Sequence, residues 1–364
     1  PTNTILTGEV PSPALLDDLL EIKAMLASFF AALNKGTALA ASDIDSFYAA
    51  SYGINDGLDR TLTINKEVSS PVTESKTITT IVGLNISPAG GGDYRVTGAF
   101  LFSDGSLYFP DEGYMVTKEG GAWKFRGNGF KSAPDIVSAS YRWRKTDLSA
   151  QTESGLRLKI KDPGGYGFKT AVITGPGLPV SGVTLTDVCG SAVLVLCIDA
   201  AVRNNTGPTD ADTFYLLSGA AIGAMPDNAE YTANIYDATP SLIETRTVLL
   251  QKPPFRNSDL SLEGYFPKRG GEPTHDIAEA NIGSPFIFPY VIPSAYRVAW
   301  FGAGLSFWDG TGNSASYWEN NLSFTAGTAD IVSAAPAWAP TGAALYLRAK
   351  GVFRRETVLV WMFQ

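Results

Sequence analysis

From about residue 60 onward, short stretches of alternating apolar and polar residues are separated by turns rich in Gly, Pro, Asp and Asn. Alternation with period two places every second side chain on the same face of a β-strand, and the turn residues mark where strands end. Apolar residues make up 45% of the 364 residues and charged ones 18%, a balance that argues against disorder. The pattern therefore predicts a folded, largely β protein, and the length predicts two or three domains.

Two predicted helices precede these strands. Residues 12–35 place Leu, Ile, Met and Phe at helical spacing, with Ser12 as N-cap and Pro13 in the first turn. A shorter helix is predicted to begin near Ser42 and to end at Gly53. The strands predicted next are RTLTINKEV (60–68), KTITTIVGLNIS (76–87), DYRVTGAFLFSDG (93–105), SLYFPDEGYMVTKEG (106–120) and GAWKFRGN (121–128). Helices followed by antiparallel strands predict an α+β domain, with the helices packed on a curved antiparallel sheet.

The stretch EGYMVTKEGGAWKFRGNG, residues 112–129, is predicted to be the closing hairpin of this sheet. Trp123 and Phe125 are expected to pack on the long helix. The order of helices and strands, ending in Trp-Lys-Phe-Arg-Gly, resembles the nuclear transport factor 2-like (cystatin-like, cone-shaped) superfamily over about residues 10–130. The resemblance implies a cone-shaped domain at residues 1–146. Some members are isomerases, dehydratases or cyclases, which implies an N-terminal cavity as one possible site.

The remainder predicts two all-β sandwiches. A polar stretch, residues 131–155, is expected to lead out of the first domain. Residues 147–252 contain strands at intervals of about 8–12 residues and resemble bacterial immunoglobulin-like modules. After the Pro-Pro linker QKPPFRNSDLSL, residues 253–364 resemble a second sandwich of the fibronectin type III kind. The final strand, Thr357–Phe363, is expected to be fully paired because its apolar content is unbroken.

The charge and the termini bear on compartment and partners. The chain has 28 basic and 36 acidic residues, a net charge of −8, and no basic cluster, which argues against binding of nucleic acid. No apolar run is long enough to span a bilayer. The first residue is Pro1 and not Met, from which we expect that a leader was removed. We therefore expect an exported protein at the cell surface, outside the cell or in the periplasm.

The two cysteines, Cys189 and Cys197, lie eight positions apart in VCGSAVLVLCID. In an exported β domain this pair predicts a disulfide, whereas in a cytosolic one it would be two buried thiols; the other export signals favour the disulfide. With a single histidine, His275, the cysteines cannot complete a four-ligand zinc site. We expect no metal and no cofactor.

Catalytic chemistry has little support in the sequence. His275 sits in a Gly/Pro-flanked loop with no nucleophile motif, and the Gly-rich stretches lack the helix that phosphate binding requires. Paired carboxylates for acid/base work are harder to exclude, because several acids of the first domain could meet in its cavity: Asp43, Asp45, Asp56, Asp59, Asp104, Asp111 and Glu112. We therefore predict a protein that is not an enzyme, with catalysis in the N-terminal cavity as an alternative.

Aromatic residues are the most unusual local feature. Five of the seven tryptophans fall in the last 65 residues: Trp300, Trp308, Trp318, Trp338 and Trp361. The simplest expectation for each is a place in the sandwich core. We expect Trp308 and Trp318 to be exposed, where they would stack on sugar or bind protein, with Asp309, Asn313 and Asn320 supplying hydrogen bonds.

Together these features predict a non-enzymatic bacterial surface or periplasmic protein that acts in binding, adhesion or assembly. The expected partners are further copies of the chain, paired at strand edges or domain faces, or a surface glycan. Two alternatives stay open at this point. One is a carbohydrate-binding surface protein that uses the C-terminal Trp and Tyr residues, and the other is a small-molecule binder or isomerase-like enzyme that uses the N-terminal cavity.

Overall fold

The computed structural model describes residues 13–70, 77–105, 107–108, 113–144, 150–186, 194–204, 212–260, 264–270, 280, 282–311, 313–320, 322, 327–351 and 355–363. The chain divides into two compact units. The N-terminal unit comprises the described residues up to Ala133 together with Asp162–Tyr166, and the C-terminal unit comprises Pro134–Lys161 and the residues from Gly167 onward.

The N-terminal unit packs helices on an antiparallel sheet. Its helices are α1 (Pro13–Leu33), α2 (Ala41–Ile44) and α3 (Arg60–Ser69), with single 3-10 turns at Gly36–Ala38 and Asp45–Phe47. Its strands are β1 (Ile78–Gly90), β2 (Asp93–Phe102), β3 (Leu107–Tyr108), β4 (Tyr114–Glu119) and β5 (Ala122–Arg126). The described strands pair in the order β1-β2-β4-β5, and β3 pairs with β2. The α+β class predicted for this part is confirmed.

The closing hairpin joins the sheet to α1 as predicted. Phe29 of α1 is buried, and its ring centroid lies 4.6 Å from that of Phe125 on β5. Trp123 donates a hydrogen bond from Nε1 to Glu21 Oε2 at 3.1 Å. Both residues of the turn, Gly120–Gly121, have positive φ, which a two-residue type I′ turn requires. The hairpin therefore anchors the helix to the last strand of this sheet.

The segment 60–68, predicted as a strand, is the helix α3. Asp59 caps it by accepting a hydrogen bond from the Leu62 backbone N–H at 2.8 Å. Ile64 is buried while Leu62 is 44% exposed, so the apparent alternation does not correspond to two faces of a strand.

The second predicted helix is also shorter than expected. It ends at Ile44, and its N-terminus is held by the carboxylate of Asp43 and not by Ser42.

The C-terminal unit is almost entirely β. Its strands are β6 (Ala133–Arg144), β7 (Ala150–Asp162), β8 (Thr170–Thr174), β9 (Val183–Thr186), β10 (Leu194–Ile198), β11 (Phe214–Leu216), β12 (Ala229–Tyr236), β13 (Leu242–Leu250), β14 (Lys268–Arg269), β15 (Pro285–Val291), β16 (Val298–Trp308), β17 (Ser314–Asn320), β18 (Gly327–Val332), β19 (Gly342–Gly351) and β20 (Glu356–Phe363). Two short helices, α4 (Gly219–Ala224) and α5 (Asn257–Leu260), and a 3-10 turn at Ala200–Val202 interrupt them. No described helix of either unit is long and apolar enough to cross a membrane.

These strands do not separate into two independent sandwiches. The described residues form a twelve-stranded sheet in the order β13-β12-β8-β9-β10-β7-β6-β20-β19-β16-β17, with β11 added beside β7. Residues 147–252 and 253–364, predicted as separate domains, thus contribute strands to one hydrogen-bonded sheet. The junction is β6, which lies parallel to β20 and brings Ala139 opposite Glu356.

The strand β6 lies in the stretch predicted to be a polar connection. Tyr141 and Trp143 are fully buried there, and their rings stack with centroids 5.3 Å apart. Its serines are buried too, because each finds a hydrogen bond: Ser140 Oγ lies 2.9 Å from Ser154 Oγ, and Ser138 Oγ donates to the Lys252 carbonyl at 2.6 Å. Because serine is polar, the sequence of this central strand resembled that of a surface segment.

A second, three-stranded sheet, β14-β15-β18, completes a sandwich in the last part of the chain. Phe286, Phe288 and Tyr290 of β15 are buried against residues of β16, β19 and β20. The Tyr290 ring centroid lies 4.9 Å from that of Phe301. The predicted pairing of the final strand is confirmed, since β20 lies between β19 and β6.

The predicted disulfide involves one described residue. Cys197 is fully buried in β10, whereas Cys189 lies outside the described residues. The pairing of Cys189 with Cys197 stays a prediction.

Candidate functional site

The face of β16 that points away from the sandwich core carries the candidate site. Phe301, Leu305 and Phe307 point into the core and are fully buried. Because side chains alternate along a strand, the opposite face carries the even-numbered residues. These are Trp300, Gly302, Gly304, Ser306 and Trp308.

Three indole rings lie against glycines on this face. A Cβ atom at any of the three glycines would approach an indole atom to 2.7 Å or less, far inside van der Waals contact. The pairs are Trp300 on Gly302, Trp318 on Gly304, and Trp308 on Gly342. We call these six residues the tryptophan face. Because glycine has no side chain, each ring can lie directly against the backbone of the sheet.

The register of the strands sets the spacing of the rings. Trp318 of β17 lies opposite Gly304, midway between Trp300 and Trp308 of β16. The Cα atoms of Trp300 and Trp308 are eight positions apart, which is about 27 Å along the strand, and the Trp300 ring leans from its own position onto Gly302. The ring of Trp318 lies over Gly304, between those two positions. Such a row can contact an extended molecule at three points.

The surroundings of Trp318 combine aromatic and polar groups. Trp318 is 39% exposed, and its ring centroid lies 5.7 Å from that of Tyr346 on β19. The Arg348 guanidinium carbon lies 5.1 Å from the Trp318 ring, which fits a cation–π contact. Between the outer rings, Ser306 Oγ and Ser316 Oγ are 2.7 Å apart at the surface. The face thus offers apolar ring surface with hydroxyl groups beside it.

The turn after Trp308 uses its own polar groups. The Asp309 carboxylate accepts hydrogen bonds from Asn313 Nδ2 at 2.7 Å and from the backbone N–H and hydroxyl of Thr311, each at 2.8 Å. These hydrogen bonds, that from the Asn313 side chain foremost, lower the pKa of Asp309 to about 2. Asp309 and Asn313 therefore hold the hairpin between β16 and β17 in shape.

The structure brings together part of the predicted site. Trp318 is exposed as predicted, whereas Trp308 is half-buried and packs against a second apolar cluster. The side chain of Asn320 lies outside the described residues. Trp300 and Tyr346 were not predicted to belong to the site. The stretch WFGAGLSFW contained the signal for Trp300, because at period two the tryptophans share one face on which only the small residues Gly, Gly and Ser lie between them.

Among the described residues of the N-terminal unit, the cavity between α1 and the sheet gives little enclosed space for a small molecule. The cavity between α1 and the sheet has a volume of about 10 Å³, room for about one water molecule. The cavity is lined by the aromatic residues Phe100 and Tyr114 and by aliphatic residues such as Leu26. A cleft of about 510 Å³ runs along the surface between α1 and β1, and it is lined mostly by apolar side chains. The described side chains thus leave space for about one water molecule in this cavity between α1 and the sheet.

The candidate acids of this unit have structural roles. Asp45 pairs with Arg60 at 2.8 Å, and Asp59 caps α3. A hydrogen bond from Lys35 is the main reason that the pKa of Asp43 is lowered. Among the described residues, no group of three or more His, Cys, Asp or Glu could hold a metal ion. His275, Asp111 and Glu112 lie outside the described residues.

Comparisons with known proteins identify no family. No family model and no curated protein matches the chain. Solved structures that it resembles include the FN1-FN3 domains of chicken CNTN1, with 9% identity, 78% of this chain and 98% of that chain covered, and a TM-score of 0.19. For a 1.5-MDa bacterial ice-binding adhesin the identity is 10%, 80% of this chain and 98% of that chain are covered, and the TM-score is 0.20. For a tetra-tandem repeat from the extending region of a large adhesion protein the identity is 12%, 77% of this chain and 64% of that chain are covered, and the TM-score is 0.17. TM-scores this low do not establish a shared fold.

Proposed function

We propose that this chain is a non-enzymatic binding protein whose tryptophan face holds an extended glycan chain. The observation that carries the proposal is the placement of three indole rings on glycines of β16 and β19, all on one face of the sheet. The electron-rich faces of indole rings attract the C–H groups of a sugar, and flat rings match the apolar face of a pyranose. The serine hydroxyls between the rings supply hydrogen bonds to sugar hydroxyls.

The test measures retention of the full chain in native gels that contain hydroxyethyl cellulose, xylan, galactomannan or laminarin, followed by titration. We expect at least one polysaccharide to retard the protein. Trp318→Ala should weaken that binding about tenfold or more, because a buried aromatic contact contributes about 1.5–3 kcal/mol. Gly304→Val keeps the indole but places a Cβ where the ring lies, and it should weaken binding similarly.

Leu249→Ala serves as the matched control, since Leu249 is 53% exposed on β13, at the opposite end of the sheet from β17. Its affinity should equal that of the unchanged protein. A set of polysaccharides that leaves the protein unretarded would contradict the proposal. So would unchanged affinity in both Trp318→Ala and Gly304→Val.

Assembly between copies is the second candidate function. The solvent face of β15 and β18 carries an apolar patch in which Ile287 is 61%, Val291 47% and Val332 67% exposed. Contiguous exposed apolar residues on a sheet face are typical of interaction surfaces. We expect sedimentation velocity to show a larger species as concentration rises, and Ile287→Lys to remove it. Val180→Lys is the control, because Val180 is a fully exposed apolar residue in a turn. A monomer at every concentration would rule this function out.

The finer predictions of fold and compartment belong to the same proposal. We propose that the N-terminal unit is a nuclear transport factor 2-like cone, for which three helices and the strand order β1-β2-β4-β5 are the support. We further propose that the β part of the chain combines an immunoglobulin-like and a fibronectin type III-like strand arrangement, joined through β6 and β20 in one sheet, in an exported protein. The predicted disulfide between Cys189 and Cys197 is in keeping with export.

A further inference from the structure

The surface cleft between α1 and β1 is large enough to hold a small molecule. Its volume of about 510 Å³ lies within the range of about 300–1,000 Å³ that is typical of ligand sites. The buried part of its lining is apolar and includes Leu26 and Phe30 of α1 and Ile78 of β1. Ala27 and Ala31, one turn apart on α1, line the exposed part, and their methyl groups are too small to fill it. A linear apolar group can therefore lie along the helix in contact with buried side chains.

The side chain of Asn34 closes the end of the cleft at the C-terminus of α1. Asn34 Nδ2 donates a hydrogen bond to the Ile78 carbonyl at 3.0 Å, and Asn34 Oδ1 accepts one from the Ile78 backbone N–H at 2.7 Å. The two hydrogen bonds tie the last turn of α1 to the first residue of β1. The amide of Asn34 is thus engaged by the protein itself, and a ligand that lies along the cleft ends beside it.

The opposite end of the cleft carries a positive charge. Lys23 is the only charged residue among the described residues that line the cleft, and it is exposed. Within the described part of the chain, its ammonium group makes no hydrogen bond or ion pair. The acids Asp18 and Glu21 of α1 pair instead with Lys118 of β4. A lysine can keep its aliphatic stem on apolar surface while its ammonium group stays in water, where it is available to an anion.

The distance between the two ends sets the length of the ligand. Lys23 and Asn34 are eleven positions apart on α1, which is about 16 Å along the helix axis. An extended alkyl chain advances about 1.25 Å per carbon, because its C–C bonds are about 1.5 Å long and its angles are close to tetrahedral, so about 12 carbons match that distance. A cationic chain end would be repelled by Lys23, and a neutral one would leave the ammonium group without a counter-charge.

We propose that the cleft between α1 and β1 binds a linear long-chain carboxylate of about 12 carbons. The carboxylate pairs with Lys23, the alkyl chain lies against Leu26 and Phe30, and the chain ends beside Asn34. This site belongs to the N-terminal unit and is independent of the tryptophan face.

The test titrates the full chain with sodium dodecanoate by calorimetry at pH 8, below the concentration at which micelles form. We expect saturable binding with a Kd of about 0.1 mM or below. Decanoate and octanoate should bind more weakly, by about twofold for each carbon removed, because each lost methylene loses apolar contact. Tetradecanoate should gain less than about twofold over dodecanoate, because the cleft ends at Asn34. Dodecyltrimethylammonium, with the same chain and the opposite charge, should bind at least about fivefold more weakly than dodecanoate.

Variants separate a site from a general effect. Lys23→Gln removes the charge and should weaken dodecanoate binding about threefold or more, whereas Lys66→Gln, at an exposed position of α3, should leave it unchanged. Ala27→Phe places a ring in the cleft and should weaken binding about tenfold or more. Ala24→Phe is its matched control, because Ala24 is an exposed alanine of the same helix that does not line the cleft. Circular dichroism verifies that each variant is folded.

Three results would each overturn the proposal. They are no saturable binding of dodecanoate up to about 1 mM, an affinity for dodecyltrimethylammonium that equals or exceeds that for dodecanoate, and unchanged affinity in both folded variants, Lys23→Gln and Ala27→Phe. Vesicles of phosphatidylglycerol offer acyl chains and negative charge from a membrane. Binding to these vesicles without binding of monomeric dodecanoate would replace the carboxylate site by a membrane-binding surface.

Discussion

Replacing Glu356 by alanine is expected to destabilise the C-terminal unit by about 3–5 kcal/mol. Glu356 is 2% exposed, and its carboxylate lies 2.5 Å from Arg157 and 2.9 Å from Arg348. Arg157 is itself 7% exposed and also pairs with Asp135 at 3.1 Å. Removing the carboxylate leaves the buried Arg157 guanidinium and the half-buried Arg348 guanidinium with one counter-charge fewer, which is the costly case for buried charges. Urea denaturation, combined with hydrogen exchange of β19 and β20, measures the loss.

The control for this variant is Glu230→Ala, because Glu230 is an exposed glutamate of the same unit. It should change the free energy of unfolding by less than about 0.5 kcal/mol. A loss below about 1 kcal/mol in Glu356→Ala would contradict the role of the network.

Glu356 also predicts how stability depends on pH. Burial alone would raise the pKa of Glu356, but Arg157, Arg348 and Lys350 together hold it below its usual value. A lowered pKa means that the unfolded chain binds the proton more readily than the folded one. The stabilisation is therefore complete above the usual glutamate pKa of about 4.3 and is lost as the pH falls through the lowered value. Glu356→Ala should flatten this acidic part of the stability profile.

Truncating Phe29 to alanine should destabilise the N-terminal unit by about 3–5 kcal/mol. Phe29 is 1% exposed, and its ring centroid lies 4.6 Å from that of Phe125 and 5.5 Å from that of Phe47. The cavity left behind would lie where α1 meets the sheet, so the amides of β5 should exchange faster. Denaturation with hydrogen exchange of α1 and β5 tests the prediction.

Leu20→Ala provides a comparison on the same helix, because Leu20 is 56% exposed. Its effect should stay below about 1 kcal/mol. Equal effects of the two substitutions would show that α1 does not bury the Phe29 face against the sheet.

Local signals in the sequence predicted much of the fold. The apolar spacing of residues 12–35 predicted α1, which spans Pro13–Leu33. The two glycines before Trp123 predicted the turn between β4 and β5, and the unbroken apolar run at the end predicted β20. Each signal lies within a few residues of the element it specifies, and it is therefore visible without knowledge of partners.

Elements whose pattern depends on distant partners were missed. In α3, Thr, Leu, Thr and Ile imitate the alternation of a strand, but the Asp59 cap and the burial of Ile64 favour a helix. In β6, the polar serines made a buried strand resemble a surface segment. Their hydroxyls can be buried because Ser138 bonds to the Lys252 carbonyl and Ser140 to Ser154. Sequence spacing cannot show such partners.

The candidate site shows the same division. Composition and spacing pointed to Trp308 and Trp318, but only the register of β16 with β17 and β19 places their rings on Gly342 and Gly304.

By itself, the sequence determined where most strands of the N-terminal sheet and the last strand of the chain lie, because period-two alternation and unbroken apolar runs are properties of each segment. Only the tertiary structure decided that the last strand pairs in parallel with β6, more than 200 positions earlier, and so joins the two predicted sandwiches in one sheet. Pairing over that distance depends on complementary faces and hydrogen-bonding edges meeting in space, and no local pattern specifies which edge meets which.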